Sequence, residues 1–260
     1  TWNVNSLKVR LPQVLNWLAA NPIDVLCLQE TKLVDARFPA AELSAAGYES
    51  VFSGQPTYNG VAILCRRDTV GAPTDVQIGN PVFADEQKRL ISATVGGMRV
   101  VCAYFPNGQA VGSDKYDYKL RWIDALIEWL GPQIAAAAQP GNTSNRFALL
   151  GDFNIAPTAE DVHDPVAWEG QVLCSAPERE RFQRLIALGL VGTGNRELRH
   201  RFVEGVTGAQ VASNQPGMAG PAMRARQRPA ASLTEQGQDV AIEGIDQRLD
   251  LRVSQLAHVE

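Results

Sequence analysis

Apolar positions fall into two kinds of pattern along this chain. In residues 7–18, Leu7, Val9, Leu11, Val14, Leu15 and Leu18 recur with the spacing of one helix face rather than strict alternation, which predicts an amphipathic helix ending near Asn21-Pro22. Residues 23–28 form a short, mostly apolar run that exits into Gln29-Glu30-Thr31-Lys32, the pattern of a buried strand with polar residues at its C-terminal end. Residues 147–150 repeat that form and run straight into Gly151-Asp152-Phe153-Asn154. Further strands are predicted over residues 48–52, 61–65, 90–95 and 99–105, separated by Gly, Pro and Asn turn signals. Gly96-Gly97 is short enough to close a hairpin. Helices are predicted over residues 116–130 and 178–188, the second with Ser175 as N-cap and Pro177 in its first turn. Hairpins among buried strands, with helices between them, sum to two sheets covered by helices.

The pattern fades after about Val191. Residues 192–260 contain no Lys, Trp or Tyr and a single Phe, Phe202, with stretches rich in Ala, Gly, Pro, Gln and Arg. So little apolar surface cannot offset the ordering of the chain, and this segment reads as loop, disorder or an out-of-frame C-terminus.

Composition narrows the class. A chain of 260 residues, 45% hydrophobic, can bury one large core, so a single α/β domain over residues 1–260 is expected. A formal charge of −4 excludes binding of nucleic acid through a global excess of Lys and Arg. Such binding must be local. The four cysteines are far apart and form no C-x-x-C pair, so they read as small buried hydrophobes of a reducing compartment, the cytoplasm. No run approaches the roughly 18 apolar residues of a membrane span. The chain opens on Thr1-Trp2-Asn3 without an initiator Met, which implies that a few residues precede it in the gene product.

Two strand ends deliver acids, Glu30 and Asp152, to the rim of a buried sheet, where carboxylates from neighbouring strands can meet. Asn3 is a third oxygen donor at the end of a first strand. Converging carboxylates and amide oxygens are what a hard cation such as Mg²⁺ takes. Gly151 fits this scheme because it lets the backbone come close. Each residue alone has a plainer reading: a solvated strand-end carboxylate for Glu30, and local turns for Asp152, Asn154 and Asn3. Tyr104 alone reads as a packing residue, Lys119 and Arg121 as a solvated helix face, and His163 as part of a Pro-rich turn.

The joint occurrence is more specific. Trp2-Asn3-Val4-Asn5-Ser6, Leu28-Gln29-Glu30-Thr31-Lys32, Tyr58-Asn59-Gly60-Val61-Ala62, Tyr104-Phe105-Pro106-Asn107-Gly108 and Gly151-Asp152-Phe153-Asn154-Ile155 occur in this order. Together with Lys119-Leu120-Arg121 and Ser175-Ala176-Pro177-Glu178-Arg179, residues 1 to about 191 resemble exonuclease III-like abasic-site endonucleases of the endonuclease/exonuclease/phosphatase superfamily. That resemblance implies a four-layer α/β sandwich of two mixed, mostly antiparallel sheets covered by helices. It also implies Mg²⁺ or Mn²⁺ dependence and, as partner, double-stranded DNA with abasic sites or 3′ ends; a monomer that binds no membrane is expected. By the same resemblance Asn3, Glu30, Asp152 and Asn154 belong to the metal site. Tyr104, Asp152 and Asn154 are catalytic: Asp152 aligns or deprotonates the attacking water, Asn154 binds the phosphate, and Tyr104 orients it. Arg89, Lys119 and Arg121 are expected to take phosphates of the bound strand.

The chain departs from the family pattern at its C-terminus. It contains no Ser-Asp-His, and neither His200 nor His258 follows an Asp. Arg248-Leu249-Asp250-Leu251 echoes the family's Arg-Ile-Asp strand but lies too near the chain end, leaving Asp250 as an outlying candidate. A lost C-terminal part would leave the second sheet with an unpaired edge and the chemistry short of a donor. The alternatives to an active DNA phosphodiesterase are therefore a catalytically impaired DNA-binding relic, or a phosphatase or phospholipase of the same superfamily.

Overall fold

A computed structural model describes residues 1–138, 146–192 and 256–259. The first sheet contains β1 (Trp2–Asn3), β2 (Val25–Gln29), β3 (Tyr48–Ser53) and β4 (Val61–Arg66), in the order β1-β2-β4-β3. The second contains β5 (Thr74–Ile78), β6 (Leu90–Val95), β7 (Met98–Tyr104), β8 (Arg146–Asp152), β9 (Leu190–Gly192) and β10 (Leu256–Val259), in the order β5-β6-β7-β8-β10-β9. Pairs β1–β2 and β7–β8 are parallel and the others antiparallel, so both sheets are mixed. The helices are α1 (Leu7–Ala20), α2 (Ala40–Ala45), the single turn α3 (Arg67–Val70), α4 (Asp114–Ala137), the single turn α5 (Pro165–Trp168) and α6 (Ala176–Ile186).

Strand parity assigns the layers. Leu26, Leu28, Ala62 and Leu64 pack against Leu7, Val14 and Leu18 of α1 and Leu43 of α2. Their strand neighbours Cys27, Val61, Ile63 and Cys65 face Ile91, Ala93, Val100 and Cys102 of the other sheet. Val101, Ala103 and Leu149 then point away from that interface, onto Trp122, Ile123, Leu126 and Leu130 of α4 and Leu185 of α6. The result is helix, sheet, sheet, helix. Strands buried on both faces carry unbroken apolar runs, which is why the central strands were readable and their orientation was not.

Local chemistry explains individual boundaries. The β6–β7 hairpin turns through Gly96 and Gly97 at φ 55° and 79°, the conformation a two-residue loop needs. Helix α4 is capped by Ser113, whose hydroxyl accepts from the Tyr116 amide. It continues past the expected end at residue 130 and through Pro132, because Leu130 and Ile134 on either side are both fully buried. Gly151 is required by close packing, since a Cβ there would lie 1.8 Å from the Ala103 carbonyl oxygen.

Further features depart from expectation, among them the short elements α3, α5 and β9. Strand β5 was not predicted, although Val76 and Ile78 alternate with Asp75 and Gln77 in it; it is an edge strand and mostly exposed. Helix α2 is too short to show a period. Within the segment expected to be loop or disorder, Leu256–Val259 forms a strand between β8 and β9, pairing Leu256 with Leu150 and His258 with Ala148. The β8 edge is therefore paired. Asp250 lies outside the described residues.

Candidate active site

Four strand ends meet at one rim. In the first sheet β1 ends on Asn3 beside Gln29, and β2 exits into Glu30. In the second, parallel β7 and β8 end in register on Tyr104 and Asp152. Glu30 turns out of the strand at φ 54°, which releases its side chain from the sheet's alternation and lets it face Tyr104.

The Asn3 amide joins the two sheets. Its Nδ2 donates to Glu30 Oε1 at 2.8 Å and to Asp152 Oδ2 at 2.9 Å, while its Oδ1 accepts from the Asn5 amide at 3.0 Å. The Tyr104 hydroxyl donates to the same Glu30 Oε1 at 2.7 Å. Glu30 Oε2 is paired with Lys32 Nζ at 2.9 Å, and that ammonium also donates to Asn5 Oδ1 at 2.5 Å. On the other side, Asp152 Oδ1 accepts from the Asn154 amide at 3.1 Å. The Asn154 side chain donates to the Phe105 carbonyl at 3.0 Å and accepts from Asn107 Nδ2 at 3.4 Å. Arg89 lies 4.7 Å over the Tyr104 ring, held by Gln87 Oε1 at 2.9 Å.

The two carboxylates are pushed in opposite directions. Burial raises Glu30, but hydrogen bonds from Asn3, Lys32 and Tyr104 and the Lys32 charge outweigh it, and its pKa lies below the ordinary value. Burial raises Asp152, and the nearby Glu30 charge adds to this. Hydrogen bonds from Asn3 and the Asn154 amide offset only part, so its pKa lies above the ordinary value. Burial, followed by the Glu30 charge, pushes the Tyr104 phenol far up, so it remains a donor. One fixed anion beside one carboxylate with a readier proton is the separation of roles that acid–base chemistry uses.

A divalent cation suits Glu30 and Asn3. Every available donor is an oxygen or can present one, Glu30 is held ionised, and its outer oxygen already faces a cation, the Lys32 ammonium. Among the described residues there is no cluster of three or more His, Cys, Asp and Glu.

The structure thus brings Asn3, Glu30, Tyr104 and Asp152 together, with Asn154 and Arg89 at their margins. Lys119 requires correction as a phosphate-binding residue. Its side chain and that of Glu178 are 0% exposed, and its ammonium is used on Glu178 at 2.5 Å, the Asn154 carbonyl at 2.6 Å and the Asn107 carbonyl at 3.1 Å. Burial, more than any other influence, lowers its pKa. Arg121 is exposed and lines a surface depression with Asp114, Asp117, Leu120 and Arg181, apart from the residues that converge. Sequence reasoning passed over Lys32, Asn5 and Asn107 as contributors. The signal was their offset of two or three residues from Glu30, Asn3 and Tyr104 within the same short motifs.

Residues 1–197 match the Endonuclease/Exonuclease/phosphatase family. Exodeoxyribonuclease III of Haemophilus influenzae is 29% identical over 205 residues, covering 73% of this chain and 72% of that protein. The Neisseria protein NExo, solved as a 3′-5′ exonuclease and as a 3′ phosphatase bound to a product DNA hairpin, is 48% identical with a TM-score of 0.67, covering 73% of this chain and 70% of NExo. An AP endonuclease from Archaeoglobus fulgidus is 35% identical with a TM-score of 0.65, at the same coverage of 73% and 70%.

Proposed function

Because this chain belongs to the Endonuclease/Exonuclease/phosphatase family, we propose that it is a DNA-repair phosphodiesterase, removing nucleotides from 3′ ends and incising abasic sites. The observation that carries this reading is the single Asn3 amide bridging Glu30 of one sheet and Asp152 of the other, with Tyr104 on the same Glu30 oxygen. Water attack on a phosphodiester needs a proton acceptor, donors for the phosphoryl oxygens, and charge neutralisation.

In this reading Asp152 accepts the proton of the attacking water. Its raised pKa makes it the better acceptor of the two carboxylates, and Asn3 and the Asn154 amide hold its orientation. The side-chain amides of Asn154 and Asn107 are the neutral donors for the phosphate, and the Tyr104 hydroxyl orients it while bracing Glu30. Arg89, already stacked on Tyr104, supplies positive charge for a neighbouring phosphate. Glu30 and Asn3 would hold Mg²⁺ or Mn²⁺, which supplies neutralisation of charge on the phosphate. Double-stranded DNA with abasic sites or 3′ ends is the expected substrate of a monomer. Among the described residues no helix is long and apolar enough to cross a membrane, and the four buried free thiols suit the reducing cytoplasm.

The test is incubation of the full chain with a 3′-labelled duplex, a 3′-phosphorylated duplex and an abasic-site duplex, in Mg²⁺ or Mn²⁺ and with a chelator. Metal-dependent cleavage supports the reading. Tight binding of abasic DNA without cleavage replaces it by the silent relic, and hydrolysis of a phospholipid headgroup but not DNA replaces it by the lipid branch.

A further inference from the structure

Lys119 and Glu178 form an ion pair whose side chains are both 0% exposed, and the proposed chemistry does not use it. Lys119 sits in the apolar stripe of α4, between Tyr116 and Trp122, and has no exposed surface. An ammonium has three protons, and the side chain has three acceptors: Glu178 Oε1, the Asn154 carbonyl at 2.6 Å and the Asn107 carbonyl at 3.1 Å. Those carbonyls belong to the loops that follow β8 and β7. Glu178 is as fully used, accepting from the Leu173 amide at 3.1 Å, the Ser175 amide at 3.1 Å and the Ser175 hydroxyl at 2.6 Å. The pair therefore ties three loops together at one buried point.

Two of these loops carry the amides assigned to the phosphate. Asn107 Nδ2 meets Asn154 Oδ1 at 3.4 Å, a contact that depends on the separation of the two backbones. Asn154 is also held in the left-handed region at φ 47°, and its carbonyl accepts from Lys119. Gly108 makes room for the arrangement: at φ +93° a Cβ there would press on Lys119 Cδ at 3.1 Å. A buried ion pair is weak evidence for stability, because desolvation offsets most of the attraction. It is better suited to fixing geometry.

We propose that Lys119 is a positioning residue, which through its three-way ammonium sets the spacing and orientation of Asn107 and Asn154 as a phosphate-binding pair, with Glu178 as its buried counter-charge. This rests on the phosphodiesterase reading, which it deepens. Misplacement of a catalytic donor by about 1 Å costs on the order of 100-fold in rate without abolishing binding.

The test uses the full chain and a 3′-labelled duplex in Mg²⁺. Lys119→Met alone strands the Glu178 charge, so it is combined with Glu178→Gln, which keeps one acceptor oxygen for the Ser175 amide and hydroxyl, gives up the one on Leu173, and leaves no buried charge. The double variant is expected to melt cooperatively, with kcat down about 100-fold and KM within about twofold. Lys119→Arg keeps the charge but cannot reach the same three acceptors with a planar fork, so its kcat is expected to lie between those of the double variant and the parent. Should the double variant not fold, Lys119→Arg decides alone. Parental kcat in a folded variant overturns the proposal. If the parent cuts no DNA, the functional reading fails by itself, and the side-chain amide NMR signals of Asn107 and Asn154 carry the test. They are expected to shift in the variants while those of Asn3 do not, and unchanged Asn107 and Asn154 signals overturn the proposal.

Discussion

The two halves of the site are built on opposite principles, although both end on the same Asn3 amide. The first-sheet half is wet and charged. Glu30 and Lys32 retain 19% and 25% side-chain exposure and form a pair that solvent screens. The second-sheet half adds to Asp152 a dry support, the ion pair of Lys119 and Glu178, sealed at 0% exposure behind the loops of Asn107 and Asn154. A wet carboxylate can exchange a cation, and a dry scaffold can hold neutral donors in one place. The difference teaches that ionic residues near this rim are not interchangeable: one lysine faces the chemistry and the other supports it.

That contrast can be broken by substitution. The largest effect is expected from Asp152→Asn, which removes the proton acceptor and keeps the shape. Single-turnover cleavage should slow by about 10⁴-fold, with the melting temperature unchanged or raised because a partly buried charge is gone. Retention of a tenth of the parental rate would remove Asp152 from its role. Glu30→Gln comes next, with an expected fall of about 100-fold that rising metal concentration partly recovers. A Mg²⁺ titration of the rate reads this directly, and an unshifted metal midpoint would separate Glu30 from the cation. Tyr104→Phe deletes one hydrogen bond to a charged group and should cost about tenfold in kcat, an effect that parental steady-state kinetics would contradict.

Two further substitutions test that contrast through stability and turnover. Gly151→Ala places a methyl against the Ala103 carbonyl and should destabilise the fold by about 3 kcal/mol, read as the urea midpoint. The smallest effect is expected for Arg121→Ala, which touches none of the converging residues. Its stability should change by less than about 0.5 kcal/mol, with kcat unaltered. A large loss of kcat there would extend the site across the α4 surface.

Much of this was legible in the chain. The buried strands β2, β4, β6, β7 and β8 announce themselves as apolar runs, and α6 by its Ser175 cap. Glu30 and Asp152 follow directly from such runs, because a strand exit lies at a sheet rim. Lys119, expected with Arg89 and Arg121 to take phosphates, is buried instead. Yet Tyr116, Lys119, Trp122, Ile123, Leu126, Leu130 and Ile134 form one helical stripe, so its position among apolar neighbours was available as a sign of burial. Strand β5 was missed although Thr74, Val76 and Ile78 alternate with Asp75 and Gln77; the run is short and its apolar residues face solvent rather than a core.

By itself the sequence determined the helices and strands with a buried face, the polar residues at the strand exits, and the glycines that close contacts demand. These depend on spacing along the chain, which periodicity and burial read out locally. Tertiary structure alone decided which sheet each strand joined, that Asn3 bridges carboxylates 27 and 149 residues away, and that Lys119 is spent on two carbonyls and Glu178. The physical reason is that the strength and sign of an electrostatic contact depend on distance and solvent exposure. Packing two sheets face to face sets both, and spacing along the chain sets neither.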